Sequence, residues 1–179
     1  QNKEGEIDIG TEINWANLKC FATDVDGTLT DGGMYYSAEG ELMKRFDTRD
    51  AFGMNLLREA GFELVIVTAE DSPIVAARAK KMRINRVFLG IHDKVDLLKT
   101  VLVELGIDWH NLAYVGDDLN DLQVIAKAGF SACPSDAALE VRNSAKYICR
   151  NPGGRGAVRE ACDLIRGHLT VTIPILGAA

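Results

Sequence analysis

Two carboxylates, Asp24 and Asp26, stand one residue apart in the segment Asp-Val-Asp-Gly-Thr, directly after the apolar run 18–23. The chain turns where a buried strand ends, so both side chains can face one crevice. Carboxylates this close repel each other unless a cation lies between them, and their oxygens suit a hard cation such as Mg²⁺. One could act as a nucleophile and the other as a proton donor, as phosphoryl transfer through an aspartyl phosphate requires. A solvated Asp-Gly turn is the competing interpretation, and the rest of the chain decides between the two.

Further polar residues follow the other apolar runs. Thr68 ends the second run, Lys94 opens a helical segment after the third, and the acidic residues Asp117, Asp118 and Asp121 follow the fourth. Ligands of open α/β sheets bind beyond the carboxyl ends of the strands, so these groups should converge on one edge. Each residue alone is weak evidence, since a lysine in the first turn of a helix is usually just solvated. Their order and spacing together favour a reactive centre with a nucleophile, a hydroxyl donor, a cation and acidic metal ligands.

The elements that must position these residues alternate between strand and helix. Short, near-continuous apolar runs are typical of buried parallel strands, and they occur at 18–23, 62–68, 86–90, 112–115 and 130–132. The helices between them are predicted to begin at the caps Asp50, Ser72, Asp93 and Asp118 or Asn120, and to end at Ala60, Met82, Leu105 and Ala128. This alternation predicts a doubly wound α/β fold with a mostly parallel sheet.

One segment, the insertion 33–47, interrupts the alternation between the first strand and its helix. It is predicted to form a hairpin of two strands, 34–37 and 41–47, joined by a turn at 38–40. Its apolar residues are Tyr35, Tyr36, Met43 and Phe46. Because an isolated hairpin is not stable in water, we expect it to pack on a neighbouring subunit.

Composition limits the classes of function open to the chain. Its 179 residues predict one domain over 15–169, with a flexible lead-in over 1–14 and a tail over 170–179. A net charge of −6 argues against a nucleic-acid partner, although a bound metal ion would still allow a small anionic substrate. No uncharged apolar run is long enough to span a bilayer, and four widely spaced cysteines predict a reducing, cytoplasmic location. The first residue is Gln with no signal-peptide pattern, so a trimmed chain or a fragment is expected.

The order of the polar groups resembles the haloacid dehalogenase superfamily of phosphohydrolases, and the resemblance covers the chain from Leu18 onward. The four motifs of that superfamily match, in order, Asp24 with Asp26, Thr68, Lys94, and Asp117 with Asp121. By this resemblance, Asp24 attacks phosphorus and binds Mg²⁺, while Asp26 protonates the leaving alcohol and later activates water. The main-chain carbonyl of Asp26 and the carboxylate of Asp117 would complete the metal ligands.

The same resemblance assigns the remaining motif residues. Thr68 and Lys94 would hold the phosphoryl oxygens, and Asp118 and Asp121 would support the metal ligands from behind. A charged transition state gains from both a metal ion and an ammonium group, so these assignments agree with the chemistry of phosphate-ester hydrolysis.

A closer match lies among the small, capless phosphatases of 2-keto-3-deoxy sugar acid phosphates. The hairpin, the Asp-Gly-Gly that precedes it and the segment 151–160 carry this resemblance. Those enzymes act on 3-deoxy-D-manno-octulosonate 8-phosphate, for lipopolysaccharide, or on nine-carbon 9-phosphates of the sialic acid type. They are tetramers whose hairpins form a central barrel, and the tail of one subunit closes its neighbour's active site. This implies a homotetramer in which the glycine-rich segment 153–156, too flexible to be rigid alone, presents Arg155 to the substrate.

The choice between eight and nine carbons depends on a few residues. Arg49 with Asp50, and the segment 71–73, look like the octulosonate enzymes. Those enzymes have Arg two positions after the motif-two hydroxyl, where this chain has Glu70, and a glutamate there resembles the nine-carbon phosphatases. A carboxylate would accept hydrogen bonds from sugar hydroxyls, whereas Arg would pair with the substrate's carboxylate. Glu70 therefore tips the sequence prediction towards nine carbons.

Two other classes of protein share parts of the pattern. A response-regulator receiver also combines Asp, Thr and Lys, but its phosphorylated Asp follows a middle strand of the chain. The C-terminal domain of animal CMP-sialic acid synthetases resembles the segment 147–149 and the glycine run after it, but those non-catalytic oligomerisation domains replace the nucleophile with Asn. Because Asp24 is intact, the sequence favours an active phosphatase over both.

Overall fold

The computed structural model describes residues 13–169. Within this range the strands are β1 (Cys20–Thr23), β2 (Tyr35–Ser37), β3 (Gly40–Met43), β4 (Glu63–Val67), β5 (Arg86–Phe88), β6 (Leu112–Val115), β7 (Phe130–Cys133) and β8 (Tyr147–Ile148). The helices are α1 (Thr48–Glu59), α2 (Pro73–Lys81), α3 (Lys94–Glu104), α4 (Leu122–Lys127), α5 (Leu139–Ser144) and α6 (Ala157–His168). The predicted tail 170–179, and the predicted lead-in 1–14 apart from its last two residues, lie outside the described residues.

Six parallel strands form the main sheet, in the order β5-β4-β1-β6-β7-β8. Strand β1 lies between β4 and β6, with Thr23 opposite both Ile66 and Val115. The chain runs outward from β1 through β4 and β5, then returns to the other side of β1 at β6. A sheet of this kind opens a crevice where its strand order reverses, so the crevice lies beyond the carboxyl end of β1.

Apolar residues cover both faces of the sheet. Side chains of β1 alternate between the faces, with Phe21 in one cluster and Ala22 in the other. Helices α1, α2 and α6 contribute to the first cluster, and α3, α4 and α5 contribute to the second. The predicted doubly wound α/β fold is therefore confirmed.

The predicted cap of the first helix, Asp50, is wrong. Helix α1 begins at Thr48 and is capped by Asp47, whose Oδ1 accepts the Arg49 amide at 2.8 Å. Asp50 is buried and instead accepts amides at the start of α6, because that helix packs directly against α1. Ser72 is the N-cap residue of α2, as predicted, but its side chain makes no capping bond because its hydroxyl donates to Glu41 on the hairpin.

The insertion forms the predicted hairpin, but its second strand is shorter than expected. Strand β3 ends at Met43, and the chain then folds back so that Phe46 bridges Thr30. Phe46 is partly buried and packs against the chain's own core. Strand β8 and helix α5 were not predicted, because they are short and lack a continuous apolar run.

The cysteines and the helices can be compared with the predictions made from composition. All four cysteines are buried and unpaired. Among residues 13–169, no helix combines the length and the apolar character needed to cross a bilayer.

Candidate active site

Asp24 is the first residue after the central strand β1, and its amide donates to Val115 O at 2.9 Å, as an extension of the sheet. The residue is buried, with 5% of its surface exposed. Burial raises the pKa of Asp24 to about 8, and the negative charge of Asp121 adds to this, while Lys94 opposes it. An ionised carboxylate in this position therefore depends on positive charge beside it.

Lys94 supplies part of that charge. It opens α3, whose N-cap Asp93 accepts the Asp96 amide at 2.9 Å, and it is almost completely buried. Its Nζ lies 2.9 Å from Asp24 Oδ1 and 2.7 Å from Asp121 Oδ1. Burial alone would lower the pKa of Lys94, but the two carboxylates outweigh burial and raise it. Lys94 is thus held as an ammonium group between two acids.

Asp121 has its bonding capacity filled by the protein. Its Oδ1 accepts Lys94 Nζ and the Tyr114 hydroxyl, the latter at 2.5 Å. Its Oδ2 accepts the amides of Asp117 at 2.9 Å and Asp118 at 3.3 Å. Because both oxygens are occupied and the residue is fully buried, Asp121 is suited to positioning Lys94 and the loop after β6.

Asp117 faces Asp24 from the end of β6. Oxygens of Asp24, Asp117 and Asp121 lie within 4.8 Å of one another, an arrangement that could hold a metal ion. Burial raises the pKa of Asp117 to about 7; its bond from Thr28 lowers it, and neighbouring acids raise it further. The close approach depends on Gly27, where a Cβ atom would lie 2.0 Å from Asp117 Oδ2. An oxygen-only donor set with mutual repulsion fits Mg²⁺, and Asp24 and Asp117 are the acids with bonding capacity to spare.

Thr68 and Asp26 lie at the same edge of the sheet. Thr68 follows β4, is buried, and accepts the Glu70 amide on its hydroxyl at 3.2 Å. Asp26 directs Oδ1 towards Lys44 Nζ at 2.6 Å. Lys44 also belongs to the site and was not predicted; the available signal was a lysine three residues after Glu41 in the inserted hairpin.

The predicted substrate residues are exposed, and among residues 13–169 their side chains form no ion pair with the Asp-Lys-Asp cluster. Glu70 is exposed. Arg49 pairs with Asp47 at 3.0 Å and donates to the Arg155 carbonyl at 3.2 Å. Arg155 is exposed, with its guanidinium 3.9 Å from Asp31.

Asp118 caps a short turn beside the cluster. Its carboxylate is exposed and accepts the Leu119 amide at 2.8 Å at the start of the 3₁₀ turn before α4. Its backbone amide donates to Asp121 Oδ2 at 3.3 Å. The support of the metal ligands that the resemblance assigns to Asp118 stays a prediction.

The glycine-rich segment 153–156 is held by its own chain. The Gly154 amide donates to Thr28 O at 2.9 Å, and a Cβ atom on Gly153 would lie 1.8 Å from Gly27 O. The expectation that only a partner subunit could order this segment is therefore wrong. Its glycines are needed because two backbones meet there without room for side chains.

Comparison with known proteins agrees with this geometry. Residues 78–160 match the haloacid dehalogenase-like hydrolase family. A 3-deoxy-D-manno-octulosonate 8-phosphate phosphatase of Haemophilus influenzae is 37% identical over 149 residues, which is 83% of each chain.

Solved structures show the same relationship. The phosphatase of that name from Yersinia pestis superposes with a TM-score of 0.82 at 36% identity, covering 84% of this chain and 82% of that one. The enzyme from Moraxella catarrhalis, solved with magnesium, phosphate and a KDO molecule, gives a TM-score of 0.82 at 38% identity over 86% and 88% of the two chains.

A parallel sheet with a buried Asp-Lys-Asp cluster at its switch point, together with these relatives, defines a phosphatase. The chain belongs to the haloacid dehalogenase-like hydrolases, in the family of the 3-deoxy-D-manno-octulosonate 8-phosphate phosphatases.

Proposed function

We propose that the chain is a Mg²⁺-dependent phosphomonoesterase that removes the terminal phosphate of 3-deoxy-D-manno-octulosonate 8-phosphate through an aspartyl phosphate on Asp24. The observation that carries the proposal is the buried Asp24 carboxylate, held by Lys94 at 2.9 Å with Asp117 close by. The names of the relatives support the substrate.

The first chemical step transfers the phosphoryl group to Asp24. A carboxylate oxygen of Asp24 forms a bond to phosphorus, the bond from phosphorus to the sugar oxygen breaks, and Asp26 gives its proton to that oxygen. Thr68 and Lys94 bind the oxygens of the transferred group. In the second step Asp26 takes a proton from water, whose oxygen attacks phosphorus, and Asp24 is released with inorganic phosphate.

Mg²⁺ would be held by Asp24, Asp117 and the main-chain carbonyl of Asp26. When bound, the ion neutralises charge on the phosphoryl group and aligns it with the nucleophile. Burial and repulsion raise the pKa of both Asp24 and Asp117, and both carboxylates therefore gain from a cation.

A nine-carbon 9-phosphate is the second candidate substrate, because of Glu70. This glutamate is exposed two residues beyond Thr68, where its carboxylate would accept hydrogen bonds from the hydroxyls of a longer sugar. Arg155 is proposed as a cation that meets the substrate's own carboxylate from the glycine-rich segment, and Arg49 supports it through the Arg155 carbonyl.

A homotetramer is proposed as the working form, in a cytoplasmic enzyme whose four thiols stay reduced. Support comes from the hairpin, where five large apolar residues are exposed: Met34, Tyr35, Tyr36, Leu42 and Met43. A cluster of this kind on one element is typical of a protein interface.

The substrate is tested by steady-state phosphate release from 3-deoxy-D-manno-octulosonate 8-phosphate, N-acetylneuraminate 9-phosphate and glucose 6-phosphate in Mg²⁺. We expect kcat/KM for the eight-carbon substrate to exceed that for glucose 6-phosphate by at least about 100-fold, because the latter has no carboxylate to pair. A preference for the nine-carbon compound would transfer the assignment to the second candidate. Equal rates on all three would contradict a sugar-acid phosphatase.

A further inference from the structure

Lys44 is a buried lysine outside the motifs that define the family's chemistry. Its side chain is 0% exposed, although it comes from a hairpin on which five large apolar side chains are exposed. Its Nζ lies 2.6 Å from Asp26 Oδ1 and 2.8 Å from Glu41 Oε1. Burying an ammonium group is unfavourable unless it is paired and hydrogen-bonded, so both carboxylates are needed to keep Lys44 there.

Lys44 is fixed from behind by a second set of contacts. Glu41, on strand β3, accepts the Ser72 hydroxyl on Oε2 at 2.7 Å and offers Oε1 to the lysine. Ser72 is buried in the segment between β4 and α2, which also contains Thr68. Three segments distant in sequence therefore meet at one lysine, whose remaining strong contact is Asp26.

The two oxygens of Asp26 are in different situations. Oδ1 is bound to Lys44, whereas Oδ2 is buried and has no hydrogen-bond partner among residues 13–169. An aspartate on a loop can rotate about χ1 and χ2, and a single strong bond to one oxygen removes most of that freedom. The bond to Lys44 thus selects one orientation of the carboxyl group and leaves Oδ2 available.

We propose that Lys44 is a positioning residue for the reaction, holding Asp26 by Oδ1 so that Oδ2 exchanges the proton with the leaving-group oxygen and then with water. The inference rests on the proposed function in one respect, the role of Asp26 as acid and base. The hairpin would then support catalysis as well as the proposed subunit contact, because both Lys44 and Glu41 lie on it. The competing account is that Lys44 only anchors the hairpin to the domain.

The two accounts differ in how the damage depends on the leaving group. Departure of a sugar alkoxide needs the proton from Asp26, whereas p-nitrophenolate leaves without one. Losing the orientation of Asp26 should therefore slow sugar-phosphate and phenyl phosphate hydrolysis far more than p-nitrophenyl phosphate hydrolysis. Losing an anchor should slow all of them by a similar factor.

The test compares Lys44→Met, Lys44→Arg and a control, Lys146→Met, by kcat and KM on phenyl and p-nitrophenyl phosphate in Mg²⁺. Lys146 is a half-buried lysine that donates to the carbonyls of Ala128 and Gly129, both at 2.8 Å. For Lys44→Met we expect kcat on phenyl phosphate to fall about 100-fold and kcat on p-nitrophenyl phosphate no more than about tenfold, with KM little changed. Lys44→Arg should restore most of the phenyl phosphate rate, and Lys146→Met should keep the wild-type ratio of the two rates.

Two results would overturn the inference. Equal losses on both substrates for Lys44→Met, with thermal unfolding and oligomeric mass unchanged, would make Lys44 an anchor only. The same ratio change in Lys146→Met would show that the ratio does not report on Asp26. The proposed function is tested separately by wild-type activity on 3-deoxy-D-manno-octulosonate 8-phosphate in Mg²⁺, so its failure is distinguishable from a failure of this inference.

Discussion

Asp50 joins two helices that are distant in sequence, and its removal should be measurable as lost stability. The side chain is 1% exposed, and it accepts the Arg159 amide at 2.8 Å and the Gly156 amide at 3.3 Å. These amides are among the unpaired donors at the start of α6. Asp50→Ala leaves both buried without an acceptor.

The expected loss follows from those two amides. Each buried donor without a partner costs about 1–3 kcal/mol, and loss of a helix cap alone costs about 0.5–2 kcal/mol. At pH 5 we therefore expect the free energy of unfolding of Asp50→Ala to fall by about 2–4 kcal/mol, with a decrease in Tm of roughly 5–15 °C. Urea unfolding and thermal scans measure both quantities, and a change below about 0.5 kcal/mol at pH 5 would contradict the capping role.

The pH dependence of stability shows whether burial or the two amide bonds dominates the pKa of the Asp50 carboxyl group. Burial raises the pKa of Asp50 from 3.8 to about 6, although the bonds from Arg159 and Gly156 oppose the rise. Because the folded state holds the proton more tightly than the unfolded state, the stabilisation is complete below pH 3.8 and is lost as the pH rises through about 6. This difference in pKa between the folded and unfolded states corresponds to at most about 3 kcal/mol in the free energy of unfolding.

Asp50→Asn is the matched control, since it keeps one acceptor oxygen and is neutral at every pH. Its free energy of unfolding relative to wild type should therefore increase as the pH rises from 4 to 6.5. A relative stability that decreases over this range would refute the reasoning, because it would mean that the two amides outweigh burial and hold the pKa of Asp50 low.

Three further outcomes are expected. Glu70→Arg should raise the ratio of kcat/KM for eight-carbon over nine-carbon substrates by about tenfold or more, since a carboxylate partner is gained and a hydroxyl acceptor is lost; an unchanged ratio makes Glu70 a solvent-facing residue. Gly153→Ala should lower kcat/KM by about 100-fold, because its new methyl group would lie 1.8 Å from Gly27 O. The control Gly167→Ala, in α6, places its methyl group in open space and should leave kcat/KM unchanged. Tyr36→Glu, at a residue 62% exposed on the hairpin, should reduce the mass measured by light scattering to that of a monomer; a wild-type protein that is already an active monomer would contradict the proposed tetramer.

The acidic cluster at the end of the central strand could be predicted because each of its residues is marked by the local sequence around it. Asp24 directly follows one buried apolar strand and Asp117 lies two residues beyond the end of another. Parallel strands end at a common edge, so their meeting required no knowledge of packing. Lys94 was predictable for a similar reason, since it opens the helix after β5.

The parts that could not be predicted depend on contacts between distant segments. Lys44 reaches Asp26 only because the hairpin ends early and the chain folds back, which depends on Phe46 packing into the core. Asp50 looked like a cap for its own helix, but α6, more than 100 residues later in the sequence, competes for the same carboxylate. Strand β8 is two residues long and exists through its pairing with β7, so no local pattern marked it.

The most direct test of the account is the rate of phosphate release by Asp24→Asn. The substitution keeps the size of the side chain and removes the nucleophile, so kcat on 3-deoxy-D-manno-octulosonate 8-phosphate in Mg²⁺ should fall by at least about 1,000-fold. The control Asp108→Asn, at an exposed turn cap before β6, should keep the wild-type rate, and both variants should unfold at near wild-type temperatures. An Asp24→Asn enzyme that retains a tenth of the wild-type rate, or a wild-type enzyme fully active in excess EDTA, would contradict a metal-dependent aspartyl-phosphate mechanism.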